Sequence, residues 1–222
     1  MRTIVYVDGF NLYYGAVKGT TYKWLDIGKM CSLLLPSHDI IGIKYFTARV
    51  SARPDDPGQP TRQQMFLRAL GTVPGLEVIY GHFLSNETTL PRADSPPEHR
   101  LYVKVVKTEE KGSDVNLATH FLCDAFRGHF ECGVLVTNDS DLREPVRVVR
   151  RELHRCVGVV NPHRRLSSKE LTEHANFQKA IRPGVLAASQ FPNELEDANG
   201  RFTRPAEWVP RAAIESGGQA PA

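Results

Sequence analysis

The sequence predicts an α/β fold with a mainly parallel central sheet. Three observations lead there. Strand-like runs alternate with helical stretches along the chain, which is the pattern of crossover-connected parallel strands. The runs "RTIVYVD" (2–8) and "CGVLVTND" (132–139) are almost continuously apolar, as strands covered on both faces are. Both end on a carboxylate, Asp8 and Asp139, and a carboxylate at the end of a buried strand is costly unless it is paired or holds a cation.

Taken in order, "RTIVYVD" is a central strand, and "DGFN" turns the chain directly after it. Residues 25–35 are a candidate helix, and "DIIGIKYFTARV" is the second strand, starting near Ile40. The Pro-bearing stretch "SARPDDPGQPTRQQ" is a loop, with a helix over 61–70. "LEVIYGHF" (76–83) is the third strand and "SNETTLPRADSPPEHR" a second loop. "LYVKVVK" (101–107) alternates as a half-exposed strand does. The strongest helix spans 113–128, with Val115, Ala118, Leu122 and Ala125 at helical spacing and Phe121 alongside. After the strand "CGVLVTND" come a helix over 141–154, a last strand "RCVGVVNP" and a short helix over 167–177 capped by Ser167 or Ser168. The compact domain is expected at 1–182 and a C-terminal tail at 183–222. The aromatic residues Phe191, Phe202 and Trp208 give that tail a reason to dock.

Composition bounds the function. The 222 residues are 41% hydrophobic and 24% charged, ordinary for a globular protein. No apolar run reaches the roughly 18–20 residues that cross a bilayer, so no membrane is expected. Met1-Arg2-Thr3 leads straight into the first strand, so no secretory signal is expected and the cytoplasm is the expected location. The four cysteines form no close pair in sequence, which argues against zinc and against a disulfide framework. A net charge of +3 permits nucleic-acid binding without requiring it.

The acids are the chemical signal. If the strands ending at Asp8 and Asp139 are neighbours, Asp8, Asp139 and Asp141 meet at the carboxyl edge of the sheet, where ligands of open α/β sheets collect. Asp114 shares a helix face with Ala118, Phe121, Leu122 and Ala125, which is the expected buried face. Carboxylates held this close repel one another unless a cation joins them. A hard ion such as Mg²⁺ or Mn²⁺ suits an all-oxygen site. Gly9 permits the tight turn, and Asn11 is placed to orient Asp8 or a water. Blander readings stand beside these: Asp8 as a turn residue, Asp139 and Asp141 as helix caps, Asp114 as a first-turn acid, and Glu109 and Glu110 as solvated or lysine-paired. His120 as a base is a further option. No hydrolase elbow, Walker A loop or dinucleotide fingerprint is present.

The motifs "VDGFN", "EKGSDVNLA" and "VTNDSDL", in that order over roughly residues 1–180, resemble those of NYN-domain proteins, a branch of the PIN-like nucleases. The resemblance implies a PIN-like, Rossmann-like α/β/α sandwich and metal-dependent cleavage of RNA. The family's acids fall on Asp8, Asp114, Asp139 and Asp141, with Asn11 as their polar companion. Two departures are His120, where many members carry an acid, and Thr137-Asn138-Asp139, where many carry Ser-Gly-Asp. Arg49, Arg53, Lys111, Arg143, Arg164 and Arg165 are expected along the acidic edge, where the first four would contact RNA backbone. RNA, single-stranded or structured, is the expected partner, and a homodimer is compatible with the sequence. The rival from another class is a nucleotide- or nucleic-acid-binding regulator that keeps the fold without turnover.

Overall fold

A computed structural model of the chain describes residues 1–96, 99–163 and 167–209. Six parallel strands form the central sheet in the order β3-β2-β1-β6-β7-β8. They are β1 (Arg2–Asp8), β2 (Asp39–Thr47), β3 (Leu76–Tyr80), β6 (Cys132–Val136), β7 (Cys156–Asn161) and β8 (Phe177–Ala180). From β1 the chain builds outward through β2 and β3. It then returns to the other side of β1 for β6, β7 and β8. The order therefore reverses between β1 and β6, which pair in parallel with Val7 opposite Val136.

Strand alternation sends residues to two cores. Val5 and Val7 face one core with Ile43, Tyr45, Val134 and Val136. It is covered by α2 (Ile27–Leu34), α3 (Gln59–Leu70) and α7 (Pro183–Ala188). Ile4 and Tyr6 face the other, with Phe46 and Leu135, under α4 (Ser113–Phe126), α5 (Arg143–Arg151) and α6 (Lys169–His174). Three layers result, helices on both faces of a sheet. Among the described residues no helix is long and apolar enough to cross a membrane.

Several expectations need correction. The run 76–83 is not one strand. β3 stops at Tyr80, and Gly81 passes the chain into an antiparallel hairpin of β4 (His82–Pro91) and β5 (Tyr102–Lys111) outside the main sheet. A Cβ at Gly81 would lie 2.7 Å from the Lys111 carbonyl oxygen, so this crossing requires glycine. The expected loop 85–100 is strand up to Pro91, because its Thr-rich alternation pairs fully with β5. The strand "RCVGVVNP" is not the last. β8, reading "FQKA", adds a short edge strand beside β7. On α4 the buried residues are Ser113, Leu117, Phe121, Asp124 and Ala125, while Val115 is 69% exposed. The helix thus rests on the sheet through a face rotated from the expected one, and its first turn overhangs the carboxyl edge. Finally, Cys132 and Cys156, far apart in sequence, stand opposite each other on β6 and β7 as free thiols with sulfurs 2.7 Å apart.

The segment after α7 continues over the first core. Phe191 and Phe202 are buried in it, and β9 (Glu194–Asp197) pairs with β10 (Gly200–Thr203). Arg68 of α3 holds this hairpin with two 2.7 Å bonds to the Asp197 carboxylate, and its guanidinium lies 4.1 Å from the Phe202 ring centroid. Trp208 packs at 6.3 Å from both the Trp24 and the Phe66 rings.

Candidate active site

The turn after β1 is built by its own residues. Asp8 caps the four-residue helix α1 (Gly9–Leu12), accepting the Asn11 N–H at 2.9 Å. A single π-helical turn (Tyr13–Val17) follows. A Cβ at Gly9 would come within 2.7 Å of the Phe46 carbonyl oxygen and the Tyr45 ring, so β2 leaves room only for glycine.

Across the switch point, Thr137 joins the two strand ends. Its hydroxyl donates to the second oxygen of Asp8 at 3.1 Å and accepts the Asp139 N–H at 3.1 Å. Asp139 in turn caps the turn Ser140–Leu142, accepting the Asp141 N–H at 3.0 Å. Asn11 orients Asp8 through its backbone. Its side-chain oxygen is occupied elsewhere, accepting the Asn138 N–H at 3.0 Å and meeting Nε2 of His163 at 3.2 Å. The turn reading of Asp8 and the capping reading of Asp139 therefore hold, while Asp141 lies inside the capped turn rather than capping it, and neither role prevents a free carboxylate lone pair from serving a ligand.

Beside these residues lies a cleft of about 830 Å³. Asp8, Asn11, Asp114 and Asp139 line it, as do Arg53, Glu110 and His163. Asp141 does not line it; it is exposed behind Asp139. Asp114 is not buried against the sheet as expected. It is exposed on the rim, because the first turn of α4 overhangs the edge. Glu110 accepts the Ser113 N–H at 3.1 Å and so serves the helix start, where Gly112 offers no side-chain cap.

Charge in the cleft is not balanced. Burial raises the Asp8 carboxyl to about 6, and the charges of Asp114 and Asp139 add to it. Partial burial raises Asp114 too, with Asp139, Glu110 and Asp141 contributing. Among the described residues no Lys or Arg forms an ion pair with Asp8, Asp114, Asp139 or Asp141. The all-oxygen donor set and its surplus negative charge fit a hard divalent ion in kind. The set is not a ready-made cage: among the described residues no three His, Cys, Asp or Glu side chains gather closely enough to hold a metal. Both Asp8 oxygens are turned toward Asn11 and Thr137 instead.

The expected cationic residues scatter. Arg53 lines the cleft. Arg49 lies 5.2 Å over the Tyr80 ring. Lys111 pairs with Glu109 at 3.1 Å. Arg143 is exposed at the start of α5. Arg164 and Arg165 lie outside the described residues. His120 does not line the cleft. It sits over the second core, 3.4 Å from the Lys44 ammonium and edge-on to Phe46. There Lys44 and Tyr6 both donate to the buried Asp124, at 2.6 and 2.7 Å.

Tyr45, Thr137, His163, Glu207 and Trp208 were not anticipated here. Thr137 left a signal, standing two residues before Asp139, and Trp208 left one as a tail aromatic with reason to dock, though not its place. The others reach the cleft only through the packing of distant segments.

The family model for the NYN domain matches residues 2–181. The chain belongs to the NYN domain family. Its sheet order and helical layers are those of a PIN-like α/β/α fold. Among proteins similar to this NYN chain is the 6-hydroxy-3-succinoylpyridine 3-monooxygenase HspA of Pseudomonas putida, 31% identical over 94% of this chain and 75% of that protein. A crystal structure of a protein of unknown function from Vibrio parahaemolyticus superposes with a TM-score of 0.54 at 20% identity, covering 82% of this chain and 93% of that one. That likeness speaks to the NYN fold alone.

Proposed function

We propose that this NYN domain hydrolyses RNA phosphodiester bonds with the help of Mg²⁺ or Mn²⁺. The observation that carries the reading is the uncompensated group of carboxylates at the strand-order reversal, with Asp8 buried and its carboxyl raised to about 6. Asp8, Asp114 and Asp139 would hold the ion, with Asp141 behind Asp139. The ion would polarise a phosphoryl oxygen and supply hydroxide at neutral pH. Thr137 and the Asn11 backbone fix the Asp8 carboxylate, and the Asn11 side chain locks β1 to the loop after β6. Arg53 is placed to take a backbone phosphate without reading sequence. Attack by water at phosphorus leaves a 5′ phosphate and a 3′ hydroxyl.

The similarity to HspA favours a second reading, oxidation of a small aromatic acid in the same cleft. The aromatic lining by Tyr13, Tyr45, Phe66 and Trp208 supports it. One experiment separates the two. Purified protein is incubated with labelled single-stranded and structured RNA with Mn²⁺ or EDTA, and separately with 6-hydroxy-3-succinoylpyridine, O₂ and a two-electron donor. Cleavage that needs the metal and is lost in Asp8→Asn supports the ribonuclease. Intact RNA together with consumption of the pyridine and O₂ replaces it with the second reading.

A further inference from the structure

The cleft continues past the acids into an aromatic chamber that the phosphate chemistry does not use. Tyr45 and Phe66 rings meet edge to face at 6.3 Å, and Phe66 meets Trp208 at the same distance. Trp208 and Glu207 come from beyond the segment that the NYN model matches. The C-terminal segment thus supplies one wall of the cleft. Arg62 fastens that wall, bonding Asp56 at 2.6 Å and Glu207 at 3.4 Å.

Two polar groups in this chamber lack partners. Tyr45 lines the cleft with 6% of its surface exposed, and its hydroxyl makes no hydrogen bond among the described residues. Gln59 also lines the cleft, and its buried Oε1 has no partner. A buried polar atom left unpaired costs free energy, so Gln59 Oε1 calls for a hydrogen-bonding group that the protein itself does not supply, and Tyr45 adds its phenol to the cleft lining. The chamber offers flat apolar walls plus an unpaired phenol and an unpaired amide oxygen. A planar heterocycle with donors and acceptors on its edge matches that set, and a sugar or an aliphatic chain does not.

We infer that Tyr45, Gln59, Phe66 and Trp208 form a nucleobase subsite beside the acids, one wall of which the C-terminal segment provides. The inference rests on the ribonuclease reading for its choice of heterocycle. Phosphate at the acids and base in the chamber would make the enzyme select the nucleotide at the cut.

Uncharged nucleosides test the subsite without metal, because they escape repulsion from the carboxylates. The full chain in EDTA is titrated with adenosine, cytidine, guanosine, uridine and ribose, followed by Trp fluorescence and calorimetry. At least one nucleoside is expected to quench saturably and ribose is not. Tyr45→Phe and Gln59→Leu should each weaken that nucleoside by about three- to tenfold, the loss of one hydrogen bond. Trp208→Phe should abolish most of the quenching while calorimetric binding persists. No saturable nucleoside, unchanged affinity in both polar variants, or binding of pyridine-3-carboxylate with all nucleosides silent overturns the subsite. RNA cleavage is measured beside it. Nucleoside binding without cleavage retires the ribonuclease reading alone, and cleavage with silent nucleosides retires the subsite alone.

Discussion

Asp8 carries two opposed demands. It must be buried to cap α1 and receive Thr137, and burial raises its carboxyl to about 6. An unfolded Asp titrates near 3.9. A raised folded pKa means that the native state holds its proton longer. This group's stability contribution is therefore full below about pH 4 and is lost as pH rises toward 6. The span corresponds to roughly 3 kcal/mol. In EDTA, the difference in unfolding free energy between wild type and Asp8→Asn should shift across that window in favour of the variant. Urea titrations from pH 4 to 7 measure it; a constant difference would show that Asp8 is not raised. At this scale the sequence was legible where chemistry coincided with a strand end, at Asp8 and Asp139. Tyr45 was not, since a tyrosine in an alternating strand looks like any core aromatic until its hydroxyl is found unpaired.

Among the elements, helices and central strands could be read from apolar periodicity because their burial is one- or two-faced. The hairpin β4–β5 and the edge strand β8 could not. Their residues are mostly polar or exposed, and backbone pairing rather than burial defines them. The same logic governs the cations. Arg147 on α5 is held by Glu144 and Glu152 at 2.7 and 2.8 Å, so it has little charge to lend. Arg53, on the loop before α3, is exposed and borders the cleft. Arg53→Ala should weaken binding similarly across unrelated RNAs and reduce the salt slope by about one. Arg147→Ala should leave both nearly unchanged. Filter binding over a salt series decides, and a larger effect at Arg147 would move the RNA path onto α5.

At the level of the whole molecule, the described residues after Arg182, 183–209, contribute to the packing of the first core. Leu186, Phe191 and Phe202 are buried there. Burying such a side chain contributes about 1.5–3 kcal/mol, so losing three removes much of the 5–15 kcal/mol that a typical domain has. A chain ending at Arg182 should lack a cooperative melting transition. A truncated chain with the full-length melting temperature would show that this packing is dispensable. The tail aromatics made docking legible in advance, but not its place, which depends on Arg68 and Phe66 of a distant helix.

The hairpin β4–β5 has one more consequence, in exchange kinetics. Its ten paired residues per strand bond to each other and not to the six-stranded sheet, and Val106, Tyr102, Leu84 and Leu90 on it are exposed. Such an arm can open by itself while the sheet stays closed. Its amides should take up deuterium under native conditions at a rate insensitive to mutations that lower global stability, whereas those of β1 and β6 should follow global unfolding. The base of the arm, at Phe83, Thr108 and Glu110, borders the cleft. A ligand seated there should therefore slow exchange in the arm first, giving a time-resolved report of occupancy that needs no turnover.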